Sequence, residues 1–405
     1  METLMINIAL LGFGTVGSGT AEVIDLNRAQ IEKYTGQPVA VKYILDRRDF
    51  PDSPYGSLII HDFNIILNDP TVSIVAEMIG GAGVAYEFTR AALTAGKNVV
   101  TSNKELVAKH GAELLALAAE HGVRYLFEAS VGGGIPIIRP LTNDLAANGI
   151  VSIDGILNGT TNYILTRMAN EGAALPDVLR DAQAKGYAEA DPTADVAGHD
   201  AARKIVILAA LAFGRVLDAD KIHVEGILGV ESSDVALADK LGMSIKLIGH
   251  TELVDGKVLA MVSPRMVPCD NPLYSVSDVF NGILVEGNML GRAMFYGRGA
   301  GKLPTASAVA SDIIDIAANL DKAPRSLHWE IAGDADVADL SGYACRNVFI
   351  LNKAPAAGLA AELNATQTVN LDGRTALLTP TMTEADADRI AAEAGDTFVK
   401  RYRVL

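Results

Sequence analysis

Cysteine is scarce: the chain of 405 residues holds two, Cys269 and Cys345. That number excludes a disulfide scaffold and fits a reducing compartment, while leaving a single bridge open. Basic residues are also short, with 34 Lys and Arg against 49 Asp and Glu, a net charge of −15 and a pI near 4.9. A body of that sign repels phosphate backbones and anionic lipid, which argues against general nucleic-acid or membrane binding. Long apolar runs are missing too. The longest uncharged one, around Ile205–Phe213, falls far short of the roughly 20 residues that span a bilayer. Met1-Glu2-Thr3-Leu4 carries neither the basic leader nor the small-residue cleavage site of a secretory signal. The expectation is a soluble, cytoplasmic protein. The seven histidines are scattered, without HExxH or a Cys/His cluster, so a zinc site has no support.

What is present is material for a large core. Hydrophobic residues make up 49% and charged residues 20%, with mean hydropathy +0.24, which is wrong for disorder. At roughly 150 residues per domain the length predicts two to three domains. Apolar runs at Ile6–Leu11, Val39–Leu45, Val72–Ile79, Asn98–Thr101 and Val123–Phe127 read as short buried strands. Helical segments at Thr15–Ile31, Tyr86–Ala95 and Glu105–His121 lie between several of them. That alternation predicts βαβ units, hence an α/β fold with an open, doubly wound, Rossmann-like parallel sheet.

From about Val131 the pattern changes. Helices at Pro140–Asn148, Asn162–Asn170, Leu175–Lys185 and Asp200–Phe213 are interleaved with a strand at Ile150–Leu157. Strands at Val224–Leu228, Lys257–Val262, Gly282–Glu286 and Ala293–Tyr296 follow, as in a central α+β domain with a mixed or antiparallel sheet. The amphipathic Ala306–Leu320 is expected to return to the first domain. From Tyr343 the order is strand Asn347–Leu351, helix Pro355–Leu363, strands Gln367–Leu371 and Thr375–Thr379, helix Glu384–Ala394, strand Phe398–Val404. This βαββαβ order predicts a small ferredoxin-like unit.

Gly12-Phe13-Gly14-Thr15-Val16-Gly17 sets GxGxxG directly behind the first strand and ahead of a helix. Gly12 permits the tight turn, Gly14 lets backbone approach a pyrophosphate, and Gly17 lets helix and strand pack closely. The helix N-terminus adds N–H groups and partial positive charge. Alone the motif is weak, but in strand–turn–helix order it predicts a dinucleotide site. At the end of the second strand Asp46 suits a ribose 2′-hydroxyl, whereas Arg47 and Arg48 suit a 2′-phosphate. The arginine pair tips the expectation to NADP, with NAD tolerated. Solvated loop charges are the plain alternative.

Lys104 opens a helix behind Ser102 or Asn103 as N-cap, where the macrodipole disfavours a cation by roughly 0.3–1 kcal/mol. A solvated lysine beside Glu105 would account for it. A ligand site at the carboxyl end of a parallel strand accounts for it better. Between Gly186 and Asp200 lie four carboxylates, Glu189, Asp191, Asp195 and Asp200, without EF-hand spacing. Some of them serve as helix caps. Asp200 and Lys204 stand four apart, the spacing of an ordinary surface ion pair. Yet Lys204 leads into Ile205-Val206-Ile207-Leu208-Ala209-Ala210-Leu211, apolar on every face. A partly desolvated lysine oriented by a carboxylate makes an acid/base centre suited to accompany hydride transfer.

Taken in order, these segments resemble the homoserine dehydrogenase family over about residues 5–320. Besides the glycine turn and Asn103-Lys104, the likeness rests on Phe127-Glu-Ala-Ser-Val-Gly-Gly-Gly-Ile-Pro136 and Asn158-Gly-Thr-Thr-Asn162. It continues in Gly186–Asp195, His199-Asp-Ala-Ala-Arg-Lys204 and Tyr296-Gly-Arg-Gly-Ala-Gly301. The resemblance implies NAD(P)-dependent interconversion of L-homoserine and L-aspartate 4-semialdehyde in threonine, methionine and isoleucine biosynthesis. It implies that Lys204 is the proton donor and acceptor with Lys104 close by, and that Glu189 and Asp200 hold the substrate ammonium. Asp195, Thr160 and Tyr187 are further substrate contacts by the same resemblance. Cofactor contacts so implied are Gly12, Phe13, Gly14, Thr15, Val16, Gly17, Arg47, Gly80, Ser102, Lys104, Gly186 and Gly301. Carbonyls of Glu128, Val131, Gly133 and Ile135 are the implied sodium ligands.

The implied partition is 1–130 with about 304–322 for the dinucleotide, 131–303 for substrate, catalysis and dimerisation, and 343–405 as an ACT-like regulatory domain. A homodimer is expected, with a tetramer open through the tail. The chain departs from the family pattern at Asp46 and Arg48, and in a short tail whose Asn352–Gly358 turn only loosely matches the usual ligand turn. An acyl-enzyme semialdehyde dehydrogenase would need a cysteine nucleophile beside a base, and neither Cys269 nor Cys345 has that setting. A cofactor-binding sensor would leave Lys204 beside Asp200 unexplained.

Overall fold

The structure is a computed structural model that describes residues 5–352, 359, 361 and 363–405. The chain forms two compact units: Met1–Ala147 with Ala210–Asp218 and Gly297–Ile331, and Asn148–Ala209 with Ala219–Tyr296 and Ala332–Leu405.

In the first unit β1 (Ile6–Leu11), β2 (Val39–Leu45), β3 (Ile59–Ile60), β4 (Val72–Glu77), β5 (Asn98–Thr101) and β6 (Tyr125–Leu126) make a wholly parallel sheet. Their order, β3-β2-β1-β4-β5-β6, places the topological switch point between β1 and β4, at whose carboxyl ends such folds bind ligands. Ile8, Leu10, Ile74, Ala76 and Val100 are completely buried in one core cluster, as expected of strands covered on both faces. Helix Lys302–Ala317 returns to this unit, as its amphipathic pattern predicts, and packs on helix Thr15–Leu26. Gly19 makes the approach possible, since a Cβ there would stand 2.9 Å from Lys302 Cγ and 3.0 Å from Ala306 Cβ.

Two expected helices differ. Thr15–Ile31 is two helices, Thr15–Leu26 and Arg28–Thr35, because Asn27 leaves helical geometry and turns its amide onto the Val23 carbonyl at 3.1 Å. Pro140–Asn148 shrinks to a π-turn over Pro140–Asp144, where the Thr142 hydroxyl donates to the Ile138 carbonyl at 3.0 Å.

The second unit is built on one long sheet. Its strand order is Gly291–Arg298, Phe280–Gly287, Ile150–Ile156, Met243–Val254, Lys257–Pro268, Phe398–Val404, Asn347–Leu351, Arg374–Leu378, Gln367–Leu371. Met243–Val254, absent from the expected strands, pairs with Lys257–Pro268 over its whole length. Its apolar run is interrupted by Lys246 and His250, which are buried all the same. Lys246 Nζ donates to the Val276 carbonyl at 2.6 Å, and His250 Nδ1 meets Asp154 at 2.7 Å.

Phe398–Val404 joins Lys257–Pro268 in parallel through Arg265↔Arg403 and Met266↔Val404, so the tail's strands extend the central sheet. The tail's own pairs are antiparallel and helix Glu384–Ala394 forms as expected. The expected helix Pro355–Leu363 and the Asn352–Gly358 turn lie largely outside the described residues. Buried ion pairs hold the tail in place. Asp234 accepts from Lys400 at 2.8 Å and from the Tyr402 hydroxyl at 2.9 Å. Arg403 grips Glu384 at 2.8 Å and Glu225 at 2.7 Å. Among the described residues no helix is long and apolar enough to cross a membrane.

Candidate active site

Each unit carries its own group of candidate residues. In the first, Gly12 has φ +93°, and a Cβ there would stand 2.9 Å from the Met78 carbonyl oxygen. A Cβ on Gly17 would lie 2.0 Å from the Gly12 carbonyl oxygen, whereas Gly14 faces open space. Helix Thr15–Leu26 begins without a side-chain cap, which leaves its first amides and dipole to an anion. The turn is therefore a cradle that fits a pyrophosphate and that a side chain at Gly14 would fill.

Asp46 belongs to this turn. Its carboxylate accepts the Phe13 N–H at 2.8 Å, the Arg48 N–H at 3.0 Å and Arg48 Nε at 3.1 Å. Burial pushes the Asp46 carboxyl up, but the bonds from Arg48 and Phe13 outweigh it and hold it at about 2. Arg47 is exposed beside this clamp.

A second network shapes the ends of β4 and β5. Buried Glu77 accepts the Ile79 N–H and the Thr101 hydroxyl, each at 2.6 Å. Asn103 caps the next helix by accepting the Leu106 N–H at 3.1 Å and donates to the Gly81 carbonyl at 2.6 Å. Gly80 and Gly81 take φ +84° and +68°, so the network sets the loop beside Ser102 and half-buried Lys104, the first residue of helix Lys104–Glu120. Burial raises the Glu77 carboxyl against its hydrogen bonds from Thr101 and Ile79. Sequence reasoning missed Glu77; the available signal was an acid ending an otherwise apolar strand. Gly301, at φ +116°, precedes helix Lys302–Ala317.

The Glu128–Ile135 segment is buried except at Gly134. The Glu128 carboxylate draws in the Ile137, Ile138 and Arg139 amides at 2.6–2.8 Å, and Ser130 Oγ is buried with no hydrogen-bond partner among the described residues. Gly133 has φ +57°, and a Cβ there would lie 2.2 Å from the Gly299 carbonyl oxygen. A buried, irregular backbone with an orphaned hydroxyl is compatible with carbonyl ligation of a small cation. A cavity of about 540 Å³ near Arg124, Arg139, Asp312 and Arg325 lies in the same unit; of the candidate residues it touches Glu128 alone.

In the second unit Asp200 and Lys204 lie on helix His199–Phe213 with side chains 5% and 10% exposed. Lys204 Nζ donates to Asp200 Oδ2 at 2.8 Å and to the Leu157 carbonyl at 2.7 Å. Asn158 Nδ2 donates to Asp195 at 2.7 Å and to Asp200 at 2.9 Å. Thr160 joins the loop of Gly186 and Tyr187, its hydroxyl donating to the Tyr187 carbonyl at 2.7 Å. Tyr187 itself is exposed and stands edge-on to Tyr163. Glu189 is exposed, and among the described residues its carboxylate makes no hydrogen bond within this cluster. Among the described residues no three His, Cys, Asp or Glu side chains are grouped to hold a metal.

A parallel sheet of Rossmann order with a pyrophosphate cradle, in a chain that also carries a buried lysine–carboxylate pair, defines a dinucleotide-dependent oxidoreductase. The family model for the homoserine dehydrogenase NAD-binding domain matches residues 12–128, and that for homoserine dehydrogenase matches residues 136–314. A homoserine dehydrogenase of Synechocystis is 46% identical over 320 residues, covering 77% of this chain and 73% of that protein. One of Pseudomonas aeruginosa is 41% identical over 351 residues, covering 85% and 81%. The crystal structure of a homoserine dehydrogenase from Thiobacillus denitrificans superposes with TM-score 0.88 at 35% identity, covering 99% and 98%. A hyperthermophilic archaeal homoserine dehydrogenase in complex with NADPH reaches TM-score 0.66 at 29% identity, covering 80% and 100%. The chain belongs to the homoserine dehydrogenase family and is an NAD(P)-dependent oxidoreductase.

Proposed function

We propose that this chain interconverts L-homoserine and L-aspartate 4-semialdehyde with Lys204 as the proton donor and acceptor. The observation that carries the assignment is the buried Asp200–Lys204 pair at 2.8 Å, with the Leu157 carbonyl holding the same ammonium at 2.7 Å. Two fixed hydrogen bonds orient Nζ, and burial places the proton transfer out of bulk water. When bound, the nicotinamide supplies the hydride acceptor and donor. In the reductive direction Lys204 gives a proton to the developing alkoxide; in the oxidative direction it takes the hydroxyl proton. Asp200, Asp195 and Glu189 suit the substrate ammonium, with Thr160 and Tyr187 beside them and Lys104 for its carboxylate or oxygen.

NADP is the favoured cofactor in this reading, because Asp46 is already held by Arg48 and the Phe13 amide while Arg47 is exposed. The glycine turn, Gly80, Ser102, Lys104, Gly186 and Gly301 would line its path. Carbonyls of Glu128, Val131, Gly133 and Ile135 would take sodium. The reading includes cytoplasmic location, a homodimer that the tail can extend to a tetramer, and an ACT-like role for residues 343–405. Its support there is the antiparallel strand order of the tail. Steady-state homoserine oxidation with NADP against NAD, with and without sodium and threonine, tests the activity, the cofactor preference and the cation and effector responses. Turnover with neither cofactor refutes the assignment.

A further inference from the structure

One side chain joins both aspartates of the substrate group. Asn158 stands between strand Ile150–Ile156 and helix Gly159–Glu171, as the N-cap of the helix, and is 7% exposed. Its Oδ1 accepts the Thr161 N–H at 2.9 Å. That bond identifies which end of the amide is oxygen, so the two hydrogens of Nδ2 point the other way. They go to Asp195 Oδ1 at 2.7 Å and Asp200 Oδ2 at 2.9 Å. An amide NH₂ has two hydrogens to give, and both are engaged.

The two aspartates sit on different elements, Asp195 in the short helix Thr193–Val196 and Asp200 in helix His199–Phe213. Like charges brought to one point repel, more strongly as water is excluded. A neutral double donor between them offsets the repulsion without cancelling the charge. Lysine or arginine there would satisfy the same oxygens but neutralise the attraction for a substrate ammonium. The oxygen of Asp200 that Asn158 holds is the one that receives Lys204 Nζ, at 2.8 Å. The ammonium also donates to the carbonyl of Leu157, the residue preceding Asn158. The Leu157-Asn158 pair thus secures two acceptors of Lys204.

We propose that Asn158 is a positioning residue for this reaction, fixing Asp195 and Asp200 together for the substrate ammonium and aiming Lys204 through Asp200. The proposal rests on the roles assigned above to Lys204, Asp195 and Asp200. Asn158→Ser tests it, because serine keeps the helix cap but is too short to reach both carboxylates. Homoserine oxidation is measured for Asn158→Ser, Asp195→Ala and the double variant, together with cofactor affinity and Tm.

Loss of hydrogen bonds to charged groups predicts a fall in kcat/KM for homoserine of roughly 10- to 100-fold. Cofactor Kd stays unchanged, while Tm falls by roughly a few degrees with the lost hydrogen bonds. In the double variant the losses fail to multiply, since both changes break one bond. A structural role alone would lower Tm in the same way but give losses in kcat/KM that multiply. Activity of Asn158→Ser within twofold of the parent, or fully multiplicative losses, overturns the proposal. Lys204→Ala serves as the reference: if it retains kcat, the reading beneath the proposal falls; if it is inactive while Asn158→Ser is fully active, Asn158 alone is acquitted.

Discussion

Replacing Lys204 by methionine separates what the buried pair does for stability from what it does for chemistry. In Lys204→Met the Asp200 carboxylate, 5% exposed, keeps its bond from Asn158 at 2.9 Å but loses the ammonium at 2.8 Å. The Leu157 carbonyl loses its donor at 2.7 Å. Leaving one member of a buried pair without its partner costs about 3–5 kcal/mol. The Asn158 bond holds the figure to the lower end, about 3 kcal/mol. At roughly 2 °C per kcal/mol for a unit of this size, Tm should fall by about 6 °C. Adding Asp200→Asn removes the stranded charge, so the double variant should regain most of that loss. Its kcat should not recover. Losing the general acid/base costs about 10²- to 10⁴-fold in either variant. Calorimetry and steady-state homoserine oxidation on the two variants read both quantities. A Lys204→Met enzyme above a tenth of parental kcat refutes the catalytic assignment. A double variant no more stable than the single one refutes the electrostatic account.

Gly17→Ala sets a Cβ 2.0 Å from the Gly12 carbonyl oxygen; it should cost at least the roughly 1–3 kcal/mol of ordinary overpacking and weaken cofactor binding, read by fluorescence titration. Burial raises Glu225, but bonds from His223 and Arg403 hold it at about 2, as Asp46 is held at about 2. Carboxyls held below their unfolded pKa of roughly 4 contribute stability above that pH and lose it as pH falls through 4 toward 2; denaturant melts followed by circular dichroism should therefore show stability falling across that window, and Glu225→Gln should flatten the pH dependence. Lys246 runs the other way: burial lowers it to about 8, so the unfolded chain holds more protons between pH 8 and about 10 and stability gains from this group as pH rises through that window. The gain is on the order of 3 kcal/mol and should vanish in Lys246→Met, as denaturant melts at pH 7 and pH 10 will show.

Short-range chemistry was legible, and long-range chemistry was not. The glycine turn announces itself within six residues, and its strand and helix lie on either side. Asp200 and Lys204 sit one helical turn apart, so a helix alone brings them to 2.8 Å. The parallel sheet is readable because β1, β2, β4 and β5 are short, largely apolar runs with helices between several of them. Asn158 opens the Asn158-Gly-Thr-Thr-Asn162 motif, yet its role depends on Asp195 and Asp200, 37 and 42 residues further on. Glu77 likewise acts through Thr101, 24 residues away, and no periodicity ties the two.

The same cause hid the strand Met243–Val254. A lysine and a histidine inside a run read as surface, but burial of a polar group is tolerable wherever a partner meets it, and the partners arrive from other segments. Asp154 reaches His250 across 96 residues and Val276 reaches Lys246 across 30. The tail follows that rule on the largest scale. Arg403 holds Glu225 from 178 residues away. Two residues beyond Glu225, the Ile227 N–H donates to the Val196 carbonyl at 2.8 Å, next to Asp195. A Cβ on Gly226 would stand 2.2 Å from that same carbonyl oxygen, so the backbone there has little room to shift independently. The final strand is therefore joined to the aspartate loop by one ion pair, two peptide units and one hydrogen bond. A perturbation that moves Arg403 has a short, stiff route to Asp195, and Arg403→Met should accordingly raise KM for homoserine while leaving cofactor affinity unchanged in titration. An unchanged KM would show that the loop is held by its local contacts alone.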